Sequence, residues 1–159
     1  MIALVAHDQR KSELLNWVRH NRDVVTRCGL VGTSSTARML RDELGLRIRS
    51  VESGPRGGDQ QIGSMVISGD VTSLVFFWDP LWAAPHVHDV LALVRIAVLR
   101  DIPVALNPAS AAAMSGNGFP REEEVPDRGA ERIPPGIRFR RPALVGLGRT
   151  ADARPGRAG

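Results

Sequence analysis

The sequence predicts an α/β fold: a three-layer domain with a five-stranded, mainly parallel sheet. Three observations predict it. Short continuous apolar runs, the form taken by strands buried on both faces, alternate with segments whose apolar residues recur at helical spacing. Such alternation is what right-handed β-α-β crossovers produce. Each run is followed by a polar cluster, so the clusters fall together at the carboxyl edge of the sheet, where open α/β sheets bind ligands.

The first run is Ile2-Ala3-Leu4-Val5-Ala6. His7-Asp8-Gln9-Arg10-Lys11-Ser12 follows it, and Leu14, Leu15, Trp17 and Val18 then recur with helical spacing. Taken alone, the cluster reads as a loop with Asp8 or Ser12 capping the helix, or as one side of a binding edge. Cys28-Gly29-Leu30-Val31 is the second strand. It runs into Gly32-Thr33-Ser34-Ser35-Thr36 and a helix carrying Met39, Leu40 and Leu44. Four hydroxyl residues after a glycine supply side-chain donors beside the backbone N–H groups of a helix start, which suits a phosphate. The segment has neither the Lys-Ser/Thr ending of a P-loop nor the G-x-G-x-x-G of a dinucleotide turn. The expected group is a phosphate on a small molecule.

Residues 46–51 form a short third strand that delivers Ser53-Gly54-Pro55-Arg56-Gly57-Gly58-Asp59-Gln60-Gln61, ahead of a helix over residues 59–68. Glycines let backbone N–H groups approach an anion closely, and a helix N-terminus adds partial positive charge. A carboxylate in that turn can act as a base beside a bound phosphate. The same turn, read by itself, is a strand-to-helix loop with Asp59 as helix cap. Leu74-Val75-Phe76-Phe77-Trp78 is the fourth strand, stopped by Asp79-Pro80. Pro85-His86-Val87-His88-Asp89 starts a helix with Val90, Leu91, Leu93, Val94, Ala97 and Val98. Ile102-Pro103-Val104-Ala105-Leu106 is the last strand, with Asn107 at its carboxyl end.

Composition narrows the function classes. The net charge is +4, but residues 1–120 hold 12 basic and 11 acidic residues, against 9 and 6 in residues 121–159. The excess lies mainly in the C-terminal stretch, and no basic stripe with interleaved aromatics marks residues 1–120, so no nucleic-acid partner is expected. No apolar run reaches the ~20 residues of a membrane span, so no membrane association is expected either. With one cysteine, Cys28, and no secretory leader pattern, the expected location is cytoplasmic. Lys11 is the one lysine among 21 basic residues, a compact point charge where the others are planar forks. The organisation expected is an α/β domain over residues 1–116. Residues 117–159 form a Pro/Gly/Arg-rich tail, which buries too little apolar surface to offset its ordering entropy and is expected to be mobile.

The segments Ile-Ala-Leu-Val-Ala-His-Asp with Lys11, Gly32-Thr33-Ser34-Ser35-Thr36, Ser53 to Gln61, Phe76-Phe77-Trp78-Asp79-Pro80 and Pro85-His86 together closely resemble methylglyoxal synthases, over roughly residues 1–110. The resemblance implies conversion of dihydroxyacetone phosphate to methylglyoxal and inorganic phosphate, by a homohexamer, without metal or organic cofactor. It implies Asp59 as catalytic base and His86 as the histidine that polarises the substrate's oxygens. His7 becomes a further substrate contact. Lys11, Thr33, Ser34, Ser35, Thr36, Ser53 and Gly54 become the phosphate-holding set, with Asp8, Asp79 and Asp89 as supports. Three departures stand out. Thr33-Ser34-Ser35-Thr36-Ala37 replaces the family's Thr-Gly-Thr-Thr-Gly, which at Ser34 is expected to cost backbone freedom. Ser110-Ala111-Ala112 lacks the acid of the family's Thr-Ala-Asp. The family's closing helix has no clear counterpart in residues 117–159. A non-catalytic regulatory domain binding a phosphorylated small molecule is the alternative, and the presence of Asp59 and His86 weighs against it.

Overall fold

The computed structural model describes residues 1–82, 87–116 and Phe119. Its core is a five-stranded sheet in the order β3-β2-β1-β4-β5, parallel at every pairing. The strands are β1 Ile2–Ala6, β2 Leu30–Thr33, β3 Arg49–Val51, β4 Ser73–Phe77 and β5 Val104–Ala105. β1 and β4 carry the longest register, from Ile2 opposite Ser73 to Ala6 opposite Phe77.

Period-two alternation along β1 divides the core. Ile2, Leu4 and Ala6 face one way and pack with α1 (Lys11–His20), α3 (Ser34–Leu44) and α6 (Pro108–Gly116). Ala3 and Val5 face the other way, into a second cluster with α4 (Gly58–Ser68) and α5 (Val87–Leu99). The short α2, Arg22–Val25, seats Val25 in the first cluster. This three-layer arrangement follows from chain direction. The chain moves outward from β1 to β3 with α1 and α3 on one face, then crosses back through α4 to β4, which right-handed crossovers place on the opposite face. The order therefore reverses at β1, the position where a crevice opens at the strands' carboxyl ends.

The expected strand over residues 46–51 narrows to Arg49–Val51, and the expected last strand to Val104–Ala105. Both are edge strands, paired on one side only. Leu46 and Ile48 are nevertheless buried in the core without joining the ladder. Of the expected tail, 117–159, only Phe119 is described. It is buried against Trp17, ring centroids 6.2 Å apart and nearly perpendicular. Among the described residues no helix is long and apolar enough to cross a membrane.

Candidate active site

A cavity of about 390 Å³ opens at the carboxyl ends of β1 to β4. His7 and Asp8 reach it from the end of β1, and Lys11 from the first turn of α1. Thr33 and Ser35 border it where β2 passes into α3, Ser53 and Gly54 after β3, and Asp59 from the first turn of α4. These eight predicted positions, dispersed over fifty residues of chain, meet in one volume.

Asp59 is held there by the two glycines before it. Gly57 stands at the N-cap with φ 93°, a left-handed conformation that suits glycine. At Gly58 a Cβ would lie 2.0 Å from the carbonyl oxygen of Glu52, so only glycine lets the two backbone segments meet. The Gly58 N–H donates to the carbonyl of Ser53 at 2.9 Å, closing the turn. Asp59 then falls within the first turn of the helix rather than at the cap, and it is 2% exposed. The flanking glutamines face other ways. Gln60 Nε2 donates to Asp89 Oδ1 at 2.8 Å, tying α4 to the first turn of α5. Gln61 Oε1 accepts the Glu52 N–H at 2.8 Å, fixing the segment that leads into Ser53.

The hydroxyl run divides by helical geometry. Thr33 and Ser35 border the cavity. Thr36 is fully buried behind them, and its Oγ1 accepts from Thr33 Oγ1 at 3.2 Å. Ser34 borders a second cavity of about 540 Å³ with Arg49, Ser50 and Gln61. Its backbone is right-handed helical, and among the described residues Asp101 is the one non-glycine with positive φ. The backbone freedom of a glycine is therefore not needed at Ser34. Lys11, its side chain 21% exposed, donates to Asp8 Oδ1 at 2.6 Å. Asp8 is the outer partner, largely in solvent.

His7 is buried between Phe76 and Trp82, both at edge-to-face geometry with centroids 5.1 and 4.8 Å away. The Asp79 N–H donates to His7 Nδ1 at 3.1 Å, while Asp79 Oδ1 accepts the Leu81 N–H at 3.1 Å. Asp79 thus acts beside the cavity through its backbone and the turn it braces. His86 lies outside the described residues, and Asp89 is placed by its bond to Gln60 rather than at the cavity wall.

Two cavity residues escaped the sequence reading. Arg38 borders the cavity from α3. Its spacing of three from Ser35 puts both on one helix face, a signal the sequence carried. Trp82 follows the Asp79-Pro80 stop, and nothing in local spacing announces that its ring returns to His7. Among the described residues no group of three or more His, Cys, Asp or Glu is placed to hold a metal ion. A buried carboxylate that shares a small volume with an ammonium, hydroxyls and helix N-terminal amides can take a proton from a molecule whose anionic end those donors hold.

Comparison with known proteins agrees with this geometry. Residues 13–106 match the model of the MGS-like domain family. A methylglyoxal synthase of Aliivibrio fischeri is 50% identical over 129 residues, 79% of this chain and 85% of that protein. One of Clostridium acetobutylicum is 49% identical over 110 residues, 69% and 76% of the two chains. The crystal structure of methylglyoxal synthase from Elizabethkingia anophelis superposes with a TM-score of 0.67 at 41% identity, covering 70% of this chain and 74% of that one. The chain belongs to the methylglyoxal synthase family.

Proposed function

We propose that this protein converts dihydroxyacetone phosphate to methylglyoxal and inorganic phosphate. The observation that carries the reading is the position of Asp59, buried in the wall of a cavity that Lys11, Thr33, Ser35, Ser53 and Gly54 also line. In this reading Lys11, the hydroxyls and the backbone N–H groups at the start of α3 hold the phosphate. Ser34 and Thr36 contribute through those amides and through support of Thr33, and Asp8 orients Lys11. Asp59 removes a proton from the carbon beside the carbonyl. The resulting enediolate is stabilised by donors at its oxygens, the part assigned to His7 and His86. The carbon–oxygen bond to phosphate then breaks, phosphate departs with that electron pair, and the remaining enol takes up a proton at carbon to give methylglyoxal. Atoms balance without water or a redox partner.

The working protein in this reading is a cytoplasmic homohexamer whose catalytic domain spans residues 1–116. Incubation of the purified chain with dihydroxyacetone phosphate should release methylglyoxal and phosphate in equal amounts. Phosphate binding without product would favour a regulatory domain of the same architecture.

A further inference from the structure

The charged groups that border the cavity, among the described residues, are Asp8 and Asp59 against Lys11 and Arg38. Lys11 is ion-paired: its ammonium lies 2.6 Å from Asp8 Oδ1. Arg38 is not. It enters no ion pair or hydrogen bond among the described residues, and its side chain is exposed at the cavity's α3 side. Among the described residues, these bordering charges cancel with Arg38 counted and sum to one negative charge without it, and like-charge juxtaposition opposes entry of a phosphate dianion.

From these positions we infer that Arg38 is a substrate-binding residue of this cavity, a second cation that meets the phosphate group from α3. The inference rests on the proposed function for the identity of its ligand. A guanidinium is suited to the part, because its planar fork can donate two parallel hydrogen bonds to phosphate oxygens. Its exposure gives it a second effect, drawing the anion toward the opening before contact. Ser35, one turn earlier on the same face, supplies a hydroxyl beside the same group.

The test compares the wild-type chain with R38A, R38K and R47A, titrating each with inorganic phosphate and assaying each with dihydroxyacetone phosphate. Arg47 is exposed and borders neither cavity, so R47A removes the same net charge elsewhere. R38A should weaken phosphate binding and raise KM about five- to tenfold, with kcat lowered no more than about twofold. R38K should fall between, and R47A should stay within about twofold of wild type in both measurements. Phosphate affinity in R38A within twofold of wild type would overturn the inference, and so would an equal loss in R47A. A wild-type chain that makes no methylglyoxal sinks the parent reading alone, because the phosphate titrations still decide the part played by Arg38.

Discussion

The backbone N–H of Asp79 donates to Nδ1 of His7 across 3.1 Å, joining the ends of two adjacent strands. An amide N–H can only donate, so Nδ1 is the acceptor and the ring carries its proton on Nε2. His7 is thus set as a neutral N–H donor, the form suited to a carbonyl or enediolate oxygen. Long-range nitrogen–proton NMR at neutral pH should find Nε2 protonated and Nδ1 bare; the reverse tautomer would break this assignment. Replacing His7 with alanine should lower kcat/KM about a hundredfold, the usual loss when one oxyanion donor is removed. A loss below threefold would make His7 a packing residue between Phe76 and Trp82.

Lys11→Ala removes the ammonium that borders the cavity from the first turn of α1. Phosphate affinity should drop about ten- to a hundredfold, the range for a hydrogen bond to a charged group. Unchanged affinity by titration calorimetry would remove Lys11 from the anion site.

Gly58→Ala tests the turn that aims Asp59. An added Cβ would meet the Glu52 carbonyl at 2.0 Å, and that carbonyl belongs to backbone rather than to a flexible side chain. The turn must shift, at a cost of about 2 kcal/mol or more in denaturant unfolding, with activity lost more steeply than stability. A variant of wild-type stability and rate would show the close approach to be dispensable.

Phe119→Ala probes where the folded body ends. Phe119 packs on Trp17, which also meets Phe77 at 6.3 Å. Truncating a buried aromatic should cost about 3 kcal/mol. A change under 0.5 kcal/mol would place the functional boundary of the domain before residue 117.

The legible parts of this protein were those set by local pattern. A five-residue apolar run gave β1 its limits, and two glycines ahead of a helical pattern marked the turn that carries Asp59. The edge strands were harder, because their length depends on what they pair with: Ile48 is as apolar as a strand residue, yet β3 begins at Arg49. α6 was missed although Asn107 directly precedes it, with Oδ1 accepting the Ser110 N–H at 2.9 Å, and Pro108 is its first residue. Those are start signals, but the alanines that follow carry no apolar period to support them. Within the site, eight of the named residues border one cavity, while Ser34, Thr36, Asp79 and Asp89 stand beside or behind it. Which hydroxyl of Thr33-Ser34-Ser35-Thr36 borders the cavity was settled by helical rotation. The return of Trp82 to His7 was settled by a loop with no period at all.

The central claim is that Asp59 is the base of an elimination, and paired assays of wild type and Asp59→Asn test it most directly. Wild type should release methylglyoxal and phosphate one to one from dihydroxyacetone phosphate. The Asn variant, similar in shape but unable to accept the proton, should lose about a thousandfold or more in kcat while binding inorganic phosphate within a few-fold of wild type. Comparable turnover by the two proteins would contradict the account.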